Sequence, residues 1–156
     1  VSEADQRAAV IAEARTWIST PYHNCADIKG VGVDCGMFII RCFVDTGICA
    51  PFDPRPYPPD WHLHRSAEKY LNFVFDRAKE VAEPQIGDVV VFHLGRCYSH
   101  GGIVTKADPL TIVHAFWPAR AVVEEDISRE GHLLSAPARA RRFFDYWGAG
   151  HVVPKG

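Results

Sequence analysis

Residues 35–46 run Cys-Gly-Met-Phe-Ile-Ile-Arg-Cys-Phe-Val-Asp-Thr, with only Arg41 and Asp45 charged and those two spaced i,i+4. A helix of this composition is apolar almost all round, and such a helix has to be buried inside a larger structure. Asp34 in front of it is a good N-cap, and Gly47 behind it is a natural stop at C′. The spacing therefore predicts a central helix over 35–46, with the rest of the chain packed around it.

The flanking pattern changes once. Residues 4–18 read as an amphipathic helix with a stripe of Val10, Ala14, Trp17 and Ile18, ended by Ser19-Thr20-Pro21 because proline disfavours a helical residue before it. Residues 21–33 read as a loop. Residues 50–60 hold five prolines and read as an extended segment, and Trp61 to about Lys79 reads as a further helix. After Pro84 the period becomes two. Strands are expected at Asp88–Phe92, Gly102–Thr105, Thr111–Phe116, Ala121–Glu124 and Ala140–Trp147. Helices first and strands second describe an α+β fold, helices packed on one face of an antiparallel sheet. A chain of 156 residues, 47% hydrophobic, fits one domain over 1–156.

Composition removes several function classes. A net charge of −2 gives no electrostatic case for nucleic acid or for an anionic membrane surface. No apolar run is long enough to span a bilayer, so no transmembrane segment is expected. Val1–Asp5 has neither the positive start nor the apolar stretch of a signal peptide. Five cysteines at irregular spacing make a poor disulfide framework, so the thiols are read as mostly reduced and the protein as made in a reducing cytoplasm. No Cys-x-x-Cys pair argues for a metal site, and no glycine-rich phosphate loop is present.

Cys35 is the candidate nucleophile. The free N–H groups and the dipole at a helix start favour an anion, which predicts a depressed thiol pKa, and the same N–H groups can hold an oxyanion. Gly36 lets a substrate backbone approach. The alternative is that Cys35 is a small buried hydrophobe, as Cys42 and Cys49 are expected to be. His100, between Ser99 and two glycines, suits a base; alternatively it is a hydrogen-bonded histidine at a strand start. His114 lies in an otherwise apolar strand, where a histidine is commonly a satisfied core residue. The two share a face only if the loop between their strands has odd length, which the Lys106–Pro109 turn permits without forcing. Cys35, His100 and His114 would then fill the roles of nucleophile, base and orienting group. His23, His62, His64, His93, His132 and His151 read as solvated or as turn residues.

In order, Thr20-Pro-Tyr22, Asp34-Cys35-Gly36, Gly87-Asp88-Val-Val-Val-Phe92, Ser99-His100-Gly-Gly-Ile103 and Val113-His114-Ala115 resemble the NlpC (p-sixty) family of bacterial cell-wall cysteine peptidases. Lys29-Gly-Val-Gly-Val-Asp-Cys35 and the proline-rich run ending at Trp61 resemble its phage-tail subgroup. The resemblance implies a papain-like fold, Cys35 as nucleophile, His100 as base, His114 as orienting residue, and a Tyr22 hydroxyl near the nucleophile, with Asp34 and Gly36 beside it. It implies peptidoglycan stem peptides as substrate, cleaved at a γ-D-glutamyl–diamino-acid bond with no cofactor. It also implies phage-tail proteins as partners, and action on a virion or at the cell wall. Two other readings keep the same fold: an inactive tail-assembly or wall-binding component, and an amidase or acyltransferase using the same triad. Gly36-Met37-Phe38 departs from the serine usual in the family, or leucine-glycine in the phage-like subgroup, right after the Asp-Cys pair. That departure bears on substrate identity. No wall-binding repeat is visible, so targeting is expected from a partner or from the substrate.

Overall fold

The computed structural model describes residues 1–56, 76–95, 97–135 and 141–147. Helix α1 (Glu3–Thr16) opens on a reciprocal cap: Ser2 Oγ accepts from the Asp5 N–H, and the Asp5 carboxylate accepts from the Ser2 N–H. Its buried side is Arg7, Val10, Ile11 and Ala14, continued by Trp17. Ile18 departs from the expected stripe and is 40% exposed. The helix ends at Thr16, and Ser19, at a φ of 73°, turns its N–H to the Val122 carbonyl, so Ile18 no longer follows the helical phase.

The segment expected to be loop contains a minimal hairpin, β1 (Asp27–Ile28) with β2 (Gly32–Val33). Helix α2 (Cys35–Asp45) follows with Asp34 as its N-cap, and Arg41 pairs with Asp45 on its solvent side. Gly47 takes a φ of 75° just past the C-cap, where the Ile48 N–H returns to the Phe43 carbonyl. Cys42 and Cys49 are buried, as expected. The expected helix from Trp61 falls outside the described residues up to 75. Its predicted end is corrected: Lys79 and Glu80 lie in strand β3 (Lys79–Val81), paired with Asp145 and Phe144. Backbone pairing to the sheet edge outweighs local helix preference there.

The remaining strands are β4 (Val89–Leu94), β5 (Cys97–Lys106), β6 (Thr111–Phe116), β7 (Ala121–Asp126) and β8 (Arg141–Asp145). They form one antiparallel six-stranded sheet in the order β3-β8-β4-β5-β6-β7. On one face Val91, Ile103, Val113, Ala115, Val122 and Phe144 pack against Val10, Ala14 and Trp17 of the first helical segment and Phe38 and Cys42 of α2. This is a papain-like α+β arrangement, with the helices on one side of the sheet. The other face carries a second core of Val90, Phe92, Val104, Ile112 and Phe116, closed by Leu110, Ile127 and Leu134.

Arg7 fastens α1 to the sheet. Its guanidinium bonds Asp88 at 2.7 Å and Asp145 at 2.9 Å, with the Trp147 ring 4.4 Å away. Removing one partner of so buried a cluster typically costs about 3–5 kcal/mol. Among the described residues no helix is long and apolar enough to cross a membrane.

Candidate active site

Asp34 builds the Cys35 end of the site. Its Oδ1 accepts from the Met37 N–H at 2.8 Å, capping α2, and its Oδ2 accepts from the Cys25 N–H at 2.7 Å. One buried carboxylate therefore sets the helix start and holds the loop in front of it. Cys35 is the first residue of α2, and Gly36 follows, half-buried. Tyr22 is brought alongside by the backbone: it bridges to Val33, its N–H donates to the Arg120 carbonyl at 2.9 Å, and its ring meets Trp117 edge-on at 5.4 Å.

The sulfur of Cys35 lies against β5. Its hydrogen-bond acceptor is the Ser99 carbonyl oxygen at 3.7 Å, and the Gly101 N–H and Tyr22 hydroxyl are directed at the sulfur. Both backbone groups flank His100. They are available because of two irregularities. Phe92 pairs with His100 while His93 pairs with Tyr98, so Ser99 is the extra residue of a bulge. The pairing of β5 with β6 runs from Lys106–Thr111 to Ile103–Val113 and stops. Val104 bonds toward the β4 side through Gly87 and Asp88, so by alternation Gly101 points toward β6. There it meets sulfur instead of a strand.

The expected depressed thiol pKa is overturned. Burial pushes the Cys35 thiol up to about 12, the Asp34 carboxylate adds to this, and the Gly101 N–H, the Tyr22 hydroxyl and the helix N–H only partly offset it. Desolvation wins over the helix start because Cys35 is only 7% exposed. Burial likewise pushes the Tyr22 hydroxyl up, with Cys35 and Asp34 adding to it, so Tyr22 stays a neutral donor.

The imidazoles occupy the opposite face. His100 stacks on Phe92 at 5.9 Å and His114 on Phe116 at 4.5 Å, both rings belonging to the core away from the helices. His100 Nε2 and His114 Nδ1 are 2.8 Å apart. The odd parity they need comes from a register shift between Val104 and Lys106, not from the turn alone. Gly102 lies against β6 at His114: a Cβ there would sit 2.9 Å from the Val113 carbonyl and 3.0 Å from the His114 Cβ. Burial, with His114 adding to it, pushes His100 well below the usual imidazole range, and burial also lowers His114.

Two residues of this cluster escaped the sequence reading. Glu125 Oε1 lies 2.9 Å from His114 Nε2 and 3.1 Å from His132 Nε2. His132, expected to be an unremarkable turn residue, is stacked on Phe116 at 6.0 Å. The His114 hydrogen bond is the main cause that draws the Glu125 carboxyl down to about 2. The site thus holds a neutral thiol against the backbone on either side of His100, with the Tyr22 hydroxyl at the sulfur, and a neutral imidazole pair on the other face of β5. Proton transfer from sulfur to imidazole would generate the nucleophile for acyl transfer.

No protein-family model matches the sequence, and no curated protein does. Solved structures do. An NLP/P60-family lipoprotein-like protein of Staphylococcus aureus superposes with a TM-score of 0.57 at 17% identity, over 88% of this chain and 41% of that one. The present chain thus spans less than half of that protein. The NlpC/p60 domain of the peptidoglycan hydrolase SagA gives 0.55 at 20% identity, over 87% of this chain and 96% of that one. The chain has the fold of an NlpC/p60 domain. The peptidoglycan hydrolase RipB of Mycobacterium tuberculosis gives 0.56 at 16% identity, over 94% of this chain and 68% of that one. An N-acetylmuramoyl-L-alanine amidase of Bacteroides uniformis gives 0.54 at 12% identity, over 90% and 98%.

Proposed function

We propose that this chain is a cysteine peptidase that hydrolyses peptidoglycan stem peptides at a γ-D-glutamyl–diamino-acid bond. The observation that carries the reading is the seating of the Cys35 sulfur against the Ser99 carbonyl and the Gly101 N–H, on either side of a histidine bonded to a second histidine. The substrate class follows the NlpC/p60 fold and the names of the peptidoglycan hydrolases that share it. The phage-tail assignment belongs to the same proposal and rests on the Lys29–Cys35 residues.

In this mechanism the thiol turns from the Ser99 carbonyl to His100 Nδ1 and gives up its proton as the sulfur attacks the γ-glutamyl carbonyl. The oxyanion is met by the Cys35 N–H and the Tyr22 hydroxyl. The proton on Nδ1 passes to the leaving amine as the C–N bond breaks, leaving a thioester on Cys35. His100 then takes a proton from water, hydroxide adds to the thioester, and the proton returns to sulfur as the acid product leaves. His114 holds the base through Nε2. Hydrolysis of the bond to muramic acid is the second reading, favoured by the superposition on the Bacteroides uniformis amidase.

Digestion of purified muropeptides, followed by mass spectrometry, tests the proposal. The peptidase reading expects fragments ending in D-glutamate, absent with Cys35→Ala. Intact stem peptides freed from sugar would instead support the amidase, and unchanged muropeptides would contradict both.

A further inference from the structure

The hydrogen bonds behind the two histidines have a fixed direction. The Leu134 N–H can only donate, and it donates to His132 Nδ1 at 3.0 Å. Neutral His132 therefore carries its proton on Nε2 and donates it to Glu125 Oε1 at 3.1 Å. The same oxygen lies 2.9 Å from His114 Nε2, and a carboxylate only accepts, so His114 also carries its proton on Nε2. His114 Nδ1 is then a lone pair. His100 Nε2, 2.8 Å away, has to be the donor to it. What remains on His100 is an unprotonated Nδ1.

We propose that Glu125, backed by His132, is a positioning residue that sets the tautomers of His114 and, through it, of His100, so that the base presents its lone pair on Nδ1. The low ionisation of Glu125 keeps it an acceptor at neutral pH. Its side chain is 23% exposed while His114 is fully buried, so the carboxylate reaches the histidine from the solvent side and makes no demand on the core. Phe116, between the His114 and His132 rings, keeps them in place. Without Glu125, His114 can carry its proton on either nitrogen. With the proton on Nδ1, His114 donates to His100 Nε2, and the base then holds its proton on Nδ1, where it needs a lone pair. The catalytic part of this inference rests on His100 being the base; the tautomer part does not.

Side-chain ¹⁵N NMR of the histidines tests it, on wild type, Glu125→Ala and Glu125→Gln. Wild type is expected to show His100 and His114 as single Nε2–H tautomers. Glu125→Ala should give mixed tautomers at both and a kcat lower by about 10- to 100-fold with KM unchanged, as loss of an outer partner does elsewhere. Glu125→Gln keeps an acceptor oxygen and should recover part of both. A wild-type His114 protonated on Nδ1 overturns the proposal without any variant, as do unchanged tautomers in Glu125→Ala. If the tautomers shift as expected but wild type leaves muropeptides uncut, the positioning role stands and the peptidase reading fails. If muropeptides are cut and the tautomers do not respond, the reverse holds.

Discussion

Cys35 is held mainly by backbone, with the Asp34 carboxylate and Tyr22 hydroxyl beside it, whereas His100 is held by side chains. On the helix side, a cap carboxylate, a strand carbonyl and a strand N–H surround the sulfur. On the other side, imidazole, carboxylate and a second imidazole line up behind His100. Burial acts on both and favours the neutral form of each, raising the thiol and lowering the imidazole. The backbone-held end is therefore tolerant of surface chemistry and sensitive to strand geometry. The side-chain-held end can be tuned at Glu125, which is 23% exposed.

The largest expected effect is at the proposed nucleophile and base. Cys35→Ala and His100→Ala should each lower muropeptide turnover by more than about 10⁴-fold, as removal of a nucleophile or its base does in comparable sites. Retained turnover in His100→Ala, measured by mass spectrometry, would detach the imidazole end from the chemistry. Next is Tyr22→Phe, which removes a hydroxyl and leaves the Trp117 contact. It should lower kcat by about 10²-fold with the melting temperature close to wild type. A variant as active as wild type would leave Tyr22 a packing residue only.

Gly102→Ala separates the ends differently. The new Cβ meets the Val113 carbonyl, which is strand backbone, and the His114 Cβ. Destabilisation of about 1–3 kcal/mol is expected in denaturant titration, together with reduced turnover. An unchanged midpoint would show that the strands part more easily than their spacing indicates. The smallest effect is on stability against pH. His100 and His114 sit below 6.5, so their contribution is present above that value and lost as pH falls through it, because the unfolded chain takes up protons that the folded chain refuses. Glu125, held down to about 2, acts the same way below its ordinary 4.5. Cys35 acts oppositely: its contribution is present below 9 and lost as pH rises toward about 12. Melting curves across pH should fall at both limits, and Cys35→Ala should make only the alkaline fall shallower, the buried Cys42 thiol keeping part of it.

How much of this was legible follows the range of the interactions. Asp34, Cys35 and Gly47 were readable because caps and stops act within a turn of the helix they bound. The buried face of α2 was readable from composition. The pairing of His100 with His114 was only allowed, because a register shift near Thr105 decides it and a shift leaves no turn signature. Glu125 and His132 were out of reach: one depends on cross-strand register and the other on the path of a loop after β7. Arg7 shows the same limit, since its partners Asp88 and Asp145 are remote in sequence. The thiol pKa was misjudged because a helix start is local information, while burial and the aim of Asp34 are not.

The central claim is that the Cys35 thiol and the His100 imidazole are both neutral in the resting site. The pH dependence of Cys35 alkylation by iodoacetamide, resolved by peptide mass spectrometry in wild type and His100→Ala, tests it directly. The account predicts slow reaction near neutral pH, with a rate still rising above pH 9 in both proteins. A rate plateau extending below pH 6 in wild type and abolished by His100→Ala would reveal a resting thiolate–imidazolium pair and contradict it.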